Sequence, residues 1–450
     1  MNEKQTLNSI LDIIRWAGFA SAGDLQEQLG LSQPTVWRAT RAALAGGQIL
    51  SIGKTRRQVY LQPRGIPGVE MPAPVFRIDE DGRPHEFGSL VALPDDRFYM
   101  DEVDGLSRLH PSLPWFLRDT LPQGYMGKTF VRANQGLSLP PNPAHWNATH
   151  EVIALARTGC DLPGNLIVGS ASFDLFQKMD ATTGTGYVTA NSPEDYPELA
   201  RQSIEGVLGV TSSGGEQAKF CVLREGVHRI VKFSTPANDA AGDRARDLLI
   251  CEHLACKVLE ENGVVAATSE IHRVQGRVFL DSHRFDRTAR GRVGMVSLLA
   301  MESDLIGQMD TWSQTADRLL RGAHISEEDA TTMKLAEAFG RLINNTDMHY
   351  GNLSFLRQDG HWRLAPIYDM LPMGFMPVQG EIRPSTFDPS SLKPSAATLG
   401  VWPEAQTLAT EFWARVADDD RITTPFREIA GDMAQALRSV QRQAPERQRS

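Results

Sequence analysis

The chain has 450 residues, of which 41% are hydrophobic and 22% are charged, and its formal net charge is −9. This size allows two or three domains with a large core, and the composition is that of a globular protein. No stretch reaches the roughly 20 apolar residues of a membrane span, and the N-terminus lacks a signal-peptide core, so we expect a cytoplasmic protein without membrane contact. The cysteines follow no metal-ligand spacing, so we expect reduced packing residues at Cys160, Cys221, Cys251 and Cys256.

The charge is distributed unevenly along the chain. Residues 1–64 contain eight Lys and Arg residues and four Asp and Glu residues, whereas the remainder carries a net negative charge. A basic segment joined to an acidic body is typical of a protein that meets nucleic acid at one end. We therefore look for a nucleic-acid contact in the first 64 residues.

Three helices are predicted in this basic segment. Apolar spacing predicts the first over residues 5–17, and Ser21 is predicted to cap the second. Ser32 is predicted to cap the third, over residues 33–44, because Pro34 then falls in the first turn, where its missing N–H is not needed.

A β-hairpin with a basic tip is predicted after the third helix, from apolar runs at residues 49–52 and 59–61. Together these elements resemble a winged helix–turn–helix DNA-binding domain, in which the helix after the turn enters the major groove. The residues expected to touch DNA are Gln33, Thr35 and Arg38 at base edges, and Arg41, Lys54, Arg56 and Arg57 at phosphates. The alternative is a small helical module for dimerisation or docking, whose charges are solvated.

A linker and a β-hairpin are predicted next. Residues 65–75 are rich in Pro and Gly, and apolar runs flank a turn at Asp81-Gly82. Further along, residues 115–124 form an aromatic and Pro-containing stretch to which spacing alone assigns no chemical role.

A stretch of small residues, 211–215, precedes Lys219 and a strand-like run. Small residues let backbone N–H groups close over phosphate, and a following Lys adds charge. The Gly-Lys-Ser/Thr ending of a Walker A loop is absent, and a simple hairpin turn is the alternative. Lys232 lies on a predicted strand, where kinases place a phosphate-pairing Lys, although a surface Lys on an edge strand fits as well. Glu252, on a helix predicted over residues 243–262, is either its ion-pair partner or an exposed acid.

The pattern with the clearest chemistry lies between residues 344 and 369. Asp347 is followed by Asn352 five residues later and by Asp369 after a short apolar strand. Kinases use this order, with the first Asp as acceptor of the substrate hydroxyl proton and the Asn and second Asp as Mg²⁺ ligands. Singly, Asp347 could end a helix and Asp369 could end a strand, but their combination with Lys232 favours phosphoryl transfer.

Five motifs carry a family resemblance: Ser212-x-x-Gly215-x-Gln217-x-Lys219, Lys232, His283-Arg284-Phe285-Asp286-Arg287, Asn345-x-Asp347-x-His349-x-x-Asn352 and Leu364-Ala365-Pro366-x-Tyr368-Asp369. In this order they resemble the motifs of HipA-like toxin serine/threonine kinases. The similarity covers residues 75–400, and the stretch at residues 115–124 also looks like a feature of this family. It is specific because separated motifs keep their order and approximate spacing.

The resemblance implies roles for individual residues. It implies a general base at Asp347, Mg²⁺ ligands at Asn352 and Asp369, and ATP contacts at Ser212, Gly214, Gly215, Gln217, Lys219, Lys232, His283, Phe285 and His349. It also implies autophosphorylation of Ser212, with Ser213 as the alternative because the loop carries an extra serine. A phosphate there would occupy the place of the ATP phosphates and switch the enzyme off.

Two features depart from the family pattern. His283 replaces the usual Glu, which matters little if only its backbone touches adenine. In addition, the family usually receives DNA binding from a separate antitoxin, whereas here a DNA-binding module precedes the kinase segment in one chain.

We therefore expect an α+β fold with a two-lobed kinase-like body. The predicted divisions are a winged helix–turn–helix at 1–64, a linker at 65–75, an N-terminal lobe at 76–285, a mainly helical C-terminal lobe at 286–440 and a disordered tail at 441–450. The expected function is transfer of the ATP γ-phosphate, with Mg²⁺, to a protein Ser or Thr. The alternative is a DNA-binding regulator with a nucleotide-sensing or silent kinase body.

The expected partners are ATP, a protein substrate, DNA and an antitoxin. By analogy with the family, the substrate is sought in the translation machinery. DNA is expected to bind through residues 1–64, and C-terminal helices at 404–440 are a candidate surface for a homodimer.

Overall fold

The computed structural model describes residues 2–53, 57–208, 217–236, 239–302 and 307–447. Four sheets and many helices form the predicted α+β architecture. None of the helices in these ranges is long and apolar enough to cross a membrane.

The N-terminal segment contains three helices and a three-stranded antiparallel sheet of order β1–β3–β2. Its elements are α1 Glu3–Ala17, β1 Ala20–Ser21, α2 Ala22–Leu29, α3 Gln33–Ala45, β2 Leu50–Ile52 and β3 Val59–Leu61. Ser21 caps α2, since its hydroxyl accepts from the Asp24 N–H at 3.1 Å while the Asp24 carboxylate accepts from the Ser21 N–H at 2.8 Å. Ser32 also stands at the cap position, but its hydroxyl bonds the Thr35 hydroxyl at 2.9 Å instead of a backbone N–H.

This segment packs against the sheet that follows it. Ile52 and Leu61 share an apolar cluster with Val91 and Tyr99. Arg97 donates to two carbonyl oxygens at the end of α1, at 2.5 and 3.0 Å. The N-terminal segment is therefore attached to the body through strands β2 and β3 and the end of α1.

The middle domain consists of a five-stranded antiparallel sheet, order β7–β6–β5–β4–β8, and helices packed on it. Its elements are β4 Ala73–Ile78, β5 Pro84–Ala92, β6 Phe98–Glu102, β7 Ser107–His110, a 3₁₀ helix Trp115–Thr120, α4 Gly124–Ala133, α5 Ala148–Thr158, β8 Leu166–Val168 and α6 Ser170–Phe176. The next helix, α7 Tyr196–Glu205, shares an apolar cluster with the sheet that follows. The predicted β-hairpin is β4–β5. The linker predicted over 65–75 ends earlier, because β4 begins at Ala73, whose side chain is buried.

A four-stranded antiparallel sheet of order β11–β12–β10–β9 forms the N-terminal lobe. Its elements are β9 Lys219–Arg224, β10 Val227–Phe233, α8 Ala240–Glu261, β11 Ser269–Val274 and β12 Arg277–His283. Helix α8 packs on β11 and β12, and its buried face belongs to the same core as the C-terminal lobe.

The C-terminal lobe is mainly helical and contains a three-stranded sheet of order β13–β14–β15. Its elements are β13 Gly294–Ser297, α9 Leu298–Met301, α10 Trp312–Arg321, α11 Glu327–Leu342, a 3₁₀ helix Tyr350–Asn352, β14 Ser354–Gln358, β15 His361–Leu364, α12 Trp402–Asp418 and α13 Thr424–Arg447. The prediction of a disordered tail from residue 441 is wrong up to Arg447, because α13 continues to that residue. Packed residues such as Ala430, Ala434 and Leu437 anchor α13, and helix propagation from an anchored segment tolerates a polar end.

Candidate active site

The loop after α11 is held by hydrogen bonds among its own residues. The Asp347 N–H donates to Asn345 Oδ1 at 3.0 Å, and Asn352 Nδ2 donates to the Asp347 carbonyl at 2.8 Å. Asn344 opens the loop at a φ of 63°, a conformation that Asn adopts more readily than most residues. The Asp347 side chain is 52% exposed, so its carboxylate is accessible to an incoming substrate.

Lys232 connects the two lobes at the base of the site. Its Nζ donates to Glu252 Oε1 at 2.5 Å and also to the carboxylate of Asp369. Glu252 is buried, so its interpretation as the partner of Lys232 is confirmed and the alternative of an exposed acid is wrong. Lys232 is likewise buried on β10, between β9 and β12, which excludes a surface Lys on an edge strand.

The charges of this group depend on one another. Burial alone would lower the pKa of Lys232, but the carboxylates of Asp369 and Glu252 outweigh it and raise that pKa. Burial opposes ionisation of Asp369 as well, yet Lys232 and Lys219 hold its pKa below the ordinary value. Burial raises the pKa of Glu252 to about 6 despite the attraction of Lys232. The arrangement therefore favours an ionised Lys232–Asp369 pair.

A cavity of about 250 Å³ lies between the lobes, above this ion pair. Seven residues predicted to bind nucleotide or metal line it, namely Lys219, Lys232, His283, Phe285, His349, Asn352 and Asp369. Lys219 is paired in register with Lys232 across β9 and β10, which puts both lysines at the same level of the sheet. The lining of the cavity thus combines two lysine side chains with the oxygen atoms of Asn352 and Asp369.

Other predicted residues stand apart from this cavity. Gln217 donates from Nε2 to the Phe233 carbonyl at 3.3 Å and is not among the lining residues. Asp347 is not a lining residue either, and its carboxylate is 4.0 Å from His349 Nε2. The predicted loop residues Ser212, Ser213, Gly214 and Gly215 lie outside the described residues.

The segment His283–Arg287 both lines the cavity and forms buried ion pairs, and the ion pairs were not predicted from the sequence. His283 and Phe285 line the cavity, as expected of a nucleotide-binding linker. The charged residues Arg284, Asp286 and Arg287 are buried, and Arg284 and Asp286 also border the cavity. Their side chains bond one another and Asp161 of the middle domain, so they hold domains together.

Several residues of the site were not predicted. The hydroxyl of Tyr368, directly before Asp369, donates to the Gly351 carbonyl at 2.9 Å, and its ring packs at a tilt 5.5 Å from that of Phe285. Its place in the motif that ends at Asp369 was a signal, but no role was assigned to it. Asp119 and Ser297 also line the cavity, and they are 178 residues apart in the chain, so no local pattern could join them.

The predicted DNA-contacting residues lie on the N-terminal segment. Gln33, Arg38 and Arg41 are exposed on α3, and Thr35 is half-buried. Arg41 stacks over the ring of Trp37 at 5.0 Å, and Trp37, which the sequence did not single out, is 54% exposed.

The tip of the β2–β3 hairpin is only partly described. Lys54 and Arg56 lie outside the described residues. Arg57 is exposed, and its guanidinium lies close to Gly105 of the β6–β7 turn, so it points toward the middle domain.

Comparison with known proteins identifies the family of this two-lobed, kinase-like body. A family model described as "HipA-like C-terminal domain" matches residues 211–441, and another described as "YjjJ-like toxin, middle domain" matches residues 69–177. The chain is 31% identical over 443 residues to Toxin YjjJ of Escherichia coli (strain K12), a match covering 94% of this chain and 96% of that protein. The chain therefore belongs to the HipA-like toxin family.

A solved structure shares the fold. It is the complex of HipA, HipB and operator DNA from the toxin–antitoxin system of Shewanella oneidensis MR-1. The match has a TM-score of 0.51 at 15% identity and covers 80% of this chain and 96% of that chain.

Proposed function

We propose that this protein is a toxin-type serine/threonine kinase that transfers the γ-phosphate of ATP to a protein hydroxyl. The main support is that Lys232, Glu252, Asp369 and Asn352 all line one cavity, and that Asp347 lies on the same loop as Asn352. This combination matches the working parts of a phosphotransferase: a phosphate-binding Lys fixed by an acid, oxygen ligands and an accessible base.

Each residue would have a separate role in phosphoryl transfer. Lys232, with Lys219 beside it, would bind the phosphates, and Glu252 would keep the Lys232 ammonium in position. Asp347 would orient the substrate hydroxyl and accept its proton. The cavity edge formed by His283 and Phe285 would take the adenine.

The oxygen donors at the cavity suit a hard cation. Asn352 commits its Nδ2 to the Asp347 carbonyl, which leaves Oδ1 as an acceptor, and Asp369 offers an ionised carboxylate. These two residues would hold Mg²⁺, which neutralises phosphate charge when bound.

Phosphate labelling tests this proposal. Wild type and Asp347→Ala are incubated with γ-labelled ATP and Mg²⁺, and the labelled peptides are mapped. We expect label in the wild type at Ser212 or Ser213 and none in the variant, although the variant still binds ATP. Labelling of Asp347→Ala at the wild-type rate would show that the assignment of the base is wrong.

The metal role has its own test. Asp369→Ala should weaken Mg²⁺–ATP binding measured by calorimetry, because a carboxylate ligand is lost. Unchanged nucleotide affinity in that variant would contradict the role of Asp369.

A second candidate function is DNA-binding regulation with a silent or nucleotide-sensing body. The observation that favours it is the exposed face of α3, with Gln33, Arg38 and Arg41, attached to the body through β2 and β3. Wild type that binds ATP, gains no label and carries no prior phosphate by intact mass would favour this candidate. A DNA affinity that falls steeply with salt would support DNA binding by residues 1–64, and an affinity independent of salt would contradict it.

The family analogy also suggests partners. The solved complex from Shewanella oneidensis contains HipA, HipB and operator DNA, so we propose an antitoxin and DNA as partners of this protein. The proposed substrate class is the translation machinery, and the proposed assembly is a homodimer through α12 and α13.

A further inference from the structure

The 3₁₀ helix Trp115–Thr120 of the middle domain lies against the C-terminal lobe. The Trp115 ring is 6.1 Å from that of Trp362 on β15, and the Phe116 ring is 5.7 Å from that of Phe87 on β5. The same 3₁₀ helix packs on β13 and α9. It is therefore wedged between the middle-domain sheet and the sheet next to the catalytic loop.

Asp119 of this helix bonds directly to the C-terminal lobe. Its carboxylate accepts from the Ser297 N–H at 2.5 Å and from the Ser297 hydroxyl at 2.7 Å. Ser297 ends β13 and caps α9, since its Oγ accepts from the Ala300 N–H at 3.1 Å. One middle-domain carboxylate thus fixes the residue at which β13 turns into α9.

This turn supports the catalytic loop through the backbone. The Leu298 N–H donates to the Leu353 carbonyl at 2.7 Å, one residue after Asn352. Helix α9 also packs on the 3₁₀ helix Tyr350–Asn352.

A second path runs through side chains. Ser297 stands opposite Ser354 in the β13–β14 register, and the Ser354 hydroxyl lies 2.7 Å from the Tyr368 hydroxyl. Tyr368 in turn donates to the Gly351 carbonyl at 2.9 Å and directly precedes Asp369. Both paths lead from Ser297 to the residues that would hold the metal.

We propose that Asp119 is a positioning residue, through which the middle domain holds the catalytic loop and Asp369 in the geometry for phosphoryl transfer. This inference rests on the proposed kinase function. Two bonds accepted by one carboxylate are charge-assisted and therefore strong, and they fix Ser297 in position and orientation. Burial raises the pKa of Asp119, while the two bonds from Ser297 counter that effect.

The test compares Asp119→Asn with Asp174→Asn, the same substitution at an exposed acid on α6. In Asp119→Asn, an amide of equal size loses one acceptor, so kcat should fall about tenfold, the worth of one charge-assisted hydrogen bond. The Kd for ATP should stay at the wild-type value, whereas the Tm should fall, because a buried hydrogen bond is lost. Asp174→Asn should match wild type in all three measurements.

Hydrogen exchange provides a readout that does not depend on activity. Amides of residues 298–301 and 350–353 should exchange faster in Asp119→Asn than in wild type. Unchanged kcat and unchanged exchange would overturn the proposal, and a weaker Kd for ATP at unchanged kcat would overturn it in favour of direct nucleotide contact. If wild type transfers no phosphate, the kinase assignment fails, whereas the exchange measurement still decides whether Asp119 holds the loop.

Ser297→Ala serves as the second variant if Asp119→Asn does not fold. It keeps the backbone N–H and removes one of the two bonds to Asp119 together with the cap bond from the Ala300 N–H, so exchange at residues 350–353 is the readout that reports on Asp119. The proposal predicts a smaller loss of kcat, about threefold, with faster exchange in the same segments. Wild-type kcat and exchange in Ser297→Ala would contradict it.

Discussion

Two groups of charged side chains border the same cavity, and they differ in how far they are exposed. The first, here called the guanidinium cluster, consists of Asp161, Arg284, Asp286, Arg287 and Arg292, whose side chains are 2–6% exposed. The second, the catalytic cluster, consists of Lys232, Glu252 and Asp369, and its Asp369 side chain is 28% exposed toward the cavity. Charged residues beside one cavity can therefore differ in their surroundings: Arg284 and Asp286 border the cavity but are enclosed by ion pairs, whereas the Asp369 side chain remains partly exposed.

The guanidinium cluster joins the middle domain to the kinase-like body. Arg287 bonds Asp161 at 2.9 Å and Asp286 at 2.7 Å, while Arg284 bonds Asp286 at 3.0 and 2.9 Å. Burial opposes ionisation of both carboxyls, but the surrounding guanidinium groups outweigh it and hold the pKa of Asp161 and of Asp286 well below the ordinary range. Three guanidinium groups and two carboxylates share this buried space, so each carboxylate is needed to compensate the positive charge.

The largest loss of stability is predicted when one of these carboxylates is removed. Asp286→Asn leaves buried guanidinium groups without compensation, so the free energy of unfolding should fall by about 3–5 kcal/mol in urea denaturation. Asp347→Asn serves as the control, because its exposed carboxylate should change stability by less than about 0.5 kcal/mol. Equal stability of the two variants would contradict the structural role of the Asp286 carboxylate in the guanidinium cluster.

The next largest effect is a loss of stability at low pH that arises from His228, which borders the guanidinium cluster. Its ring packs 4.9 Å from that of Tyr187, and burial and the charge of Arg284 lower its pKa to about 4. The unfolded chain binds this proton below about pH 6.5, whereas the folded protein binds it only near pH 4. Its stability contribution is thus complete above pH 6.5 and is lost as the pH falls toward 4, by up to about 3 kcal/mol.

Urea denaturation between pH 7 and pH 4 tests this prediction. His228→Phe should lose less stability over that interval than wild type, and His145→Phe, at an exposed histidine, should follow wild type. His253 keeps part of the acid sensitivity in every variant, because burial lowers its pKa to about 4 as well. A pH dependence of His228→Phe identical to wild type would contradict the prediction.

The smallest effect is predicted for Arg292, the excess cation of the guanidinium cluster. Burial and the charge of Arg287 lower its pKa to about 10, and it lies 3.8 Å from Asp161. Arg292→Met removes like-charge repulsion together with its hydrogen bond to the Cys160 carbonyl, so the net loss should be about 1–2 kcal/mol. A loss as large as that of Asp286→Asn would show that charge balance does not govern this cluster.

The sequence was most informative where residues are brought together by local spacing. Asn352 and Asp369 were predicted from their order along the chain to lie close together, and both line the cavity, whereas Asp347 does not. Lys232 and Glu252 were predicted as a pair because a strand and the next helix pack together, and the 2.5 Å contact confirms it. The helix and strand positions in residues 1–64 followed from apolar spacing and cap residues.

The sequence was insufficient where partners are distant. Arg287 meets Asp161 across 126 residues, and Asp119 meets Ser297 across 178, so neither pair leaves a periodic signal. The helical end of α13 was missed because polar composition was weighed without the packed turns that precede it. The pairing of these residues is set by contacts between domains, and a local sequence pattern contains no information about such contacts.

The most direct test measures both phosphate transfer and Tm for Asp347→Asn and Asp286→Asn, with γ-labelled ATP, Mg²⁺ and wild type in parallel. Asp347→Asn is predicted to keep the wild-type Tm and to lose transfer by about 10²–10⁴-fold, because a general base is removed. Asp286→Asn is predicted to lower the Tm while its folded fraction still transfers phosphate. Wild-type transfer in Asp347→Asn would contradict the central claim that this cleft performs the chemistry.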